Sequence, residues 1–194
     1  MRRWYELLGV AGPALAFIAI AASIYLSPWF RWDSDALSDL GHAVRSDVAP
    51  IFNLGLSLAS TSLLAFTITT FRKHARHSSV GLGASALFLQ LIATFDEVYG
   101  RLHFLVSVFF FVSIGVTAIA FAVEKRSWVA LVAFAVTVAA WTLYGTRGYG
   151  GIALPETVSA AAVAGLLIHA SLSIYAGRDE TRSGCSDEDG AIAR

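Results

Sequence analysis

The sequence predicts an all-α fold, a polytopic membrane bundle of six transmembrane helices. Three observations carry that expectation. Hydrophobic residues make up 56% of the 194 residues and charged residues only 14%, where a soluble domain carries roughly 25% charged residues. Apolar stretches close to the roughly 20 residues that cross a bilayer recur six times. These stretches show neither the short alternating segments of a membrane β-barrel nor the single apolar stripe of a helix lying on a water-soluble core.

The first stretch runs from Leu7 to Leu26, and Gly12-Pro13 within it marks a place where the helix can kink. The second, Val48 to Phe71, is rich in Ser and Thr and has Pro50 near its start, where the missing N–H of proline is not needed. Val80 to Phe95 is shorter and contains Gln90, read as interhelical glue. Phe104 to Val123 and Trp128 to Tyr144 follow. The sixth, Thr157 to Ala176, opens just after Pro155 and contains His169, read as bonded to a neighbouring helix. Gly55 and Ala59, and the run Ser159 to Gly165, supply small residues that let helix backbones approach in lipid. The chain therefore divides into a transmembrane domain, residues 1–176, and a polar tail, residues 177–194, expected to be disordered.

Lysine and arginine orient the bundle. Arg2, Arg3, Arg72, Lys73, Arg76, Lys125, Arg126, Arg178, Arg182 and Arg194 fall on one set of connections, and only Arg31, Arg45, Arg101 and Arg147 on the other. The basic side is expected to be cytoplasmic, with both termini there and the chain in the cell membrane. Trp4, Trp29, Trp32 and Trp128 sit at span ends, as interfacial aromatic residues do. An alternative reading makes Arg2-Arg3, the apolar run and Ala19-Ile20-Ala21 a cleavable signal peptide, leaving five spans. The net charge of zero argues against nucleic acid as a partner. The lone Cys185 gives no disulfide and no zinc-finger spacing.

Chemistry concentrates on the less basic side. Within Ser27 to Asp47, a helix cap at Ser34 or Asp35 followed by Leu37, Leu40 and Val44 at helical spacing predicts a short surface helix. Asp35, Asp39 and His42 would form its polar face, and Asp39 and His42, three apart, could act together. The second segment is Asp96-Glu97-Val98-Tyr99-Gly100-Arg101-Leu102-His103, between the third and fourth spans, where a tight turn would pair Arg101 with a carboxylate. The catalytic candidates are Ser38, Asp39, His42, Asp96 and His103; the ligand-binding candidates are Glu97, Tyr99 and Arg101. Carboxylates and imidazoles can relay protons or hold zinc. No metal-protease, nucleophile-elbow or phosphate-loop motif is present. No metal and no cofactor are assigned.

From Trp29 to Gly41 an aromatic cluster after the first span leads into Ala36-Leu37-Ser38-Asp39-Leu40-Gly41, and Pro50, Phe52 and Asn53 open the second span. This pattern resembles the prokaryotic six-span membrane family catalogued as domain of unknown function nine hundred and ninety-eight. The likeness covers Val10 to Val123, and the later spans match in hydropathy alone. It implies six spans and points to the two outer loops, with Glu97 and His103 at the positions of the family's acidic residue and histidine. Asp96-Glu97 replaces the usual Pro-Glu. More distantly, Ser38 and His42 look like the Ser and His of membrane hydrolases that include alkaline ceramidases. The late histidine pair of those enzymes is missing, because His169 is followed four residues later by Ser173.

Three classes of function are compatible with this sequence. The first is an outer-face polar site that binds a lipid or small molecule without chemistry. The second is a membrane hydrolase using a metal or a His/Asp pair on lipid. The third is a small transporter. Besides the bilayer, the expected partner is a lipid or small-molecule ligand, with homo-oligomers left open.

Overall fold

The structure is a computed structural model that describes residues 4–147 and 151–192, with side chains over 4–146 and 151–177. Among the described residues there are six long helices and no strand. They are α1 (Trp4–Tyr25), α2 (Ala49–Phe66), α3 (Ser78–Thr94), α4 (Arg101–Lys125), α5 (Trp128–Arg147) and α6 (Ala153–Ile192). α2 continues through a π turn, Thr67–Phe71, and a last turn, Arg72–His74. Five segments are long and apolar enough to cross a membrane: α1, Ala49–His74, α4, Trp128–Thr146 and Ala153–Gly177. α3 is also apolar but shorter, and its 17 residues stand at the lower end of the range that crosses a bilayer.

The helix ends follow from local chemistry. Pro50 lies in the first turn of α2 and gives up no helical hydrogen bond there. The Glu124 carboxylate accepts from the backbone N–H of His77 (3.2 Å) and Ser78 (2.9 Å) and from the Ser78 hydroxyl (2.6 Å). It thus supplies the acceptor that the exposed N–H groups of α3 require. Gly100 has φ +50°, a conformation that suits glycine and turns the chain sharply into α4.

Each helix packs on its neighbour in sequence, and α6 returns to α1, closing a ring. Small residues set the distance between α1 and α2. A Cβ placed on Gly55 would sit 2.0 Å from that of Ala19, and one on Gly9 2.8 Å from the Phe66 ring. Short polar side chains tie the helices together, as expected where hydrophobicity does not hold helices against each other. Ser62 donates to the Leu8 carbonyl (3.0 Å), Ser60 to that of Ala86 (2.8 Å), and Gln90 to the Ser57 hydroxyl (3.1 Å). Gln90 therefore has the bridging role anticipated for it. His169 does not: it is exposed on α6, and its side chain makes no hydrogen bond among the described residues.

The two ends of the ring differ. At one end lie the α2–α3 and α4–α5 connections, where Lys125 donates to the His74 carbonyl (3.1 Å). That half of the bundle is filled by Phe66, Phe71 and Phe121, whose rings pack at 5.5–5.6 Å between centroids, with Leu82, Ile114, Leu166 and Leu167 around them. At the other end the long α1–α2 connection, the α3–α4 turn and the start of α6 meet. The Ala153 N–H donates to the Asp35 carbonyl (3.0 Å), and Gly151 lies so close to the 32–34 backbone that a Cβ would come within 2.6 Å of the Trp32 carbonyl oxygen. α5 is the peripheral member, with 11% of its span buried against 44% for α2.

A candidate ligand cavity with a polar pole

The half of the bundle opposite the aromatic cluster has a smaller core around Ile20, Leu40, Phe52 and Leu56 and is less completely filled. It holds a cavity of about 150 Å³ that is partly open to the outside. The wall is apolar and comes from α1 (Ala16, Ile20), α2 (Phe52, Leu56), α3 (Leu89, Ile92), α4 (Phe110, Phe111) and α6 (Ala160, Val163). The cavity ends against Leu63, Ile114 and Leu167, which belong to the packed half. At its other end the wall turns polar, with Ser38, His103, Ser107, Glu156 and Ser159.

Ser38 arrives on a 3-10 helix, Leu37–Gly41, rather than on the surface α-helix that the spacing predicts. Leu37 and Leu40 are buried as expected, but Val44 is 79% exposed and His42 is buried. The reason lies in the carbonyls. Ser46 donates to the Leu40 carbonyl (2.8 Å) and Asn53 to that of Gly41 (2.9 Å), so two carbonyls that would continue a helix are already satisfied. Asp39 Oδ2 accepts from the Ala36 N–H (2.8 Å), and Glu156 Oε2 accepts from the Leu37 N–H (2.7 Å). The start of this short helix is thereby fastened to α6.

The Asp39 and His42 side chains each bond a nearby backbone N–H rather than each other. The His42 Nδ1 accepts from the Val44 N–H (3.3 Å), and the residue stands at the extended end of the 3-10 helix, away from the cavity. Asp96 is likewise locally engaged: its Oδ1 accepts from the Val98 N–H (2.9 Å) and caps the turn Glu97–Tyr99. Tyr99 is exposed and rests edge-on against Phe95. Arg101 is exposed and forms no ion pair among the described residues, so the Arg101–carboxylate pairing is not found. No group of three His, Cys, Asp or Glu side chains among the described residues is placed to hold a metal. Asp39, His42, Asp96 and His103 are therefore not one ligand set.

Four of the candidates, Ser38, Asp39, Glu97 and His103, do gather at or beside the pole. His103, on the first turn of α4, is nearly buried, and its Nδ1 lies 2.8 Å from the Phe95 carbonyl oxygen. A carbonyl can only accept, so this nitrogen carries the proton. In the neutral ring Nε2 is then an acceptor, near the Ser107 hydroxyl (3.5 Å) on the cavity wall. Glu97, in the α3–α4 turn, lies beside Asp39, and the two carboxyl groups form a pair. Burial and then the Asp39 charge push the Glu97 carboxyl up to about 7; the Ser38 hydroxyl and the Arg45 charge act the other way. The Glu97 carboxyl therefore keeps its proton to a higher pH than an exposed glutamate does. Both carboxyl groups are close enough to Glu156 to act on its charge.

Glu156 and Ser159 were not among the candidates. They stand three apart on α6, on one helix face, and both line the cavity. Ser159 is fully buried, and its hydroxyl has no partner among the described residues. A carboxylate one turn into an apolar span, after Pro155, was the available signal. What the sequence did not contain was the closure of the ring, which sets α6 beside α1 and over the Leu37–Gly41 segment.

The model of the family described as Protein of unknown function (DUF998) matches residues 10–173, running on past Val123 through the later spans. Neither the curated proteins nor the solved structures contain a significant match to the chain.

Proposed function

We propose, from the premise that this chain belongs to the DUF998 family, that it binds a small amphipathic molecule, or one end of a lipid chain, inside its membrane bundle. The apolar part would lie in the cavity and the polar group at the pole of Ser38, His103, Ser107, Glu156 and Ser159. The observation that carries this reading is the cavity, apolar over its length and polar at one end only. That division is the usual anatomy of a small-molecule site. The cavity is partly open, and its volume of about 150 Å³ holds a group of roughly benzene size or one end of a longer chain.

Binding is favoured over passage. The aromatic half of the bundle, with Phe66 and Phe71 essentially unexposed, closes the cavity toward the other membrane face. Hydrolysis is less well supported, because His42 and Asp96 are held away from the pole by their own backbone contacts. The topology that accompanies this reading has six crossings, with α3 as the short one and the pole on the outer side. The cell membrane holds the protein with both termini cytoplasmic, as the ten-to-four division of Lys and Arg supports.

The experiment is thermal unfolding in nanodiscs with and without 1-hexanol, repeated on Ala160→Leu, which fills the cavity from α6. Wild type should gain stability with hexanol as a bound ligand requires, and Ala160→Leu should gain clearly less. Equal responses of both chains would mean that hexanol acts through the bilayer and would remove the reading.

A further inference from the structure

We infer that the ligand of this cavity carries a positively charged amine, seated at the pole against Glu156, Ser159 and His103. The inference rests on the proposed cavity reading and adds the chemical class of the head group.

The polar atoms on the cavity wall are rich in acceptors. Glu156 presents a carboxylate of which one oxygen already takes the Leu37 N–H. His103 gives its Nδ1 proton to the Phe95 carbonyl, so its Nε2 is an acceptor, beside the Ser107 hydroxyl at 3.5 Å. Behind these stand two further carboxyl groups, Asp39 and Glu97. Arg45 is the cation near them, and it is exposed. An ammonium group is the complement of such a surface: three donors, no acceptor and one positive charge. A carboxylate or phosphate head would face like charges across a poorly solvated space, which is unfavourable.

A second, independent observation points to the same spot. The Ser159 hydroxyl is fully buried, lines the cavity and has no hydrogen-bond partner among the described residues. A buried hydroxyl without a partner is costly, and native structures seldom keep one without use. It lies one turn beyond Glu156, so an ammonium bound by the carboxylate could also donate to it. The carboxylates at this end are not placed to enclose a metal ion. An amine on a short apolar body requires only one or two of them, and the body fills the cavity.

The test uses three probes with the same six-carbon body: hexylammonium, 1-hexanol and hexanoate. Their binding to the purified full chain, in nanodiscs of zwitterionic lipid at pH 8, is measured against Ala160→Leu as the filled-cavity reference. Hexylammonium should bind about tenfold or more tightly than hexanol, the step that a charge-assisted hydrogen bond contributes, and hexanoate more weakly than either. Glu156→Gln keeps an acceptor for the Leu37 N–H, and in it the preference for hexylammonium over hexanol should shrink by about tenfold. Equal binding of the three probes, or a preference for hexanoate, would overturn the amine assignment and leave the cavity reading standing. A preference that persists undiminished in Glu156→Gln would also overturn it. If none of the probes binds better to wild type than to Ala160→Leu, both readings fall.

Discussion

Glu97→Gln isolates the electrostatics of the pole. In the wild type the carboxyl group holds its proton up to about pH 7 because it is buried beside Asp39, whereas in the unfolded chain it releases it near pH 4.5. Between these values the folded chain binds more protons than the unfolded one, so stability falls as pH rises through the window. Full conversion of the difference would give roughly 3 kcal/mol. Glu97 is only partly buried, and solvent screening reduces this to about 1–2 kcal/mol. Glutamine has the same shape and donates an N–H to Asp39 in place of the Glu97 proton, but it does not titrate. The variant and the wild type should therefore be equally stable near pH 4.5. At pH 8 the variant should be ahead by about 1–2 kcal/mol, or roughly 2–8 °C in midpoint for a chain of this size. Thermal unfolding followed by circular dichroism at the two pH values reads this directly. A variant less stable than wild type at pH 8, or a difference that does not change with pH, would refute the carboxyl pair.

Other parts of the structure make equally definite predictions. Ser159→Ala removes a buried hydroxyl without a partner among the described residues and should stabilise the ligand-free chain by about 1 kcal/mol or more, seen as a raised unfolding midpoint. Gly55→Val forces side-chain atoms into the Ala19 contact and should cost about 1–3 kcal/mol through overpacking, read by the same scan. Glu124→Ala leaves the N–H groups of His77 and Ser78 without their acceptor and should cost about 1–3 kcal/mol. For topology, Cys185 in intact cells should resist a membrane-impermeant maleimide, while Ser34→Cys in a Cys185→Ser background should react. Reversed labelling would invert the bundle.

Much of the fold was legible in the sequence because a bilayer restricts a chain so severely. Only helices and closed barrels satisfy the backbone within it, the apolar stretches lack a barrel's alternation, and length, charge asymmetry and proline position then mark most of the elements. The reading of α3 as short also held: Ser78–Thr94 has 17 residues. The site was legible in part. Ser38, Glu97 and His103 do meet at one end, and the family-bearing segments touch where Asn53 donates to the Gly41 carbonyl. The surface helix was not correct, because Leu37 and Leu40 recur at a spacing that a 3-10 turn also satisfies, and the acceptors that end it come from Ser46 and Asn53. The contribution of α6 was invisible for another reason. Glu156 reaches the Leu37 N–H across 119 positions of sequence, and no local pattern encodes which helix closes a ring. His169 was misplaced for the same reason, since helical periodicity does not tell which side of an all-apolar helix faces a neighbour.

The central claim is that the apolar half-cavity takes a guest, and the most direct measurement is where a guest becomes attached. A diazirine-bearing analogue of 1-hexanol, photolysed with the chain in nanodiscs and mapped by peptide mass spectrometry, should mark cavity residues such as Phe52, Leu56, Phe110 and Val163, and these adducts should vanish in Ala160→Leu. Adducts confined to outward-facing residues such as Val132 and Leu143 of α5, and unchanged in the filled variant, would contradict the account.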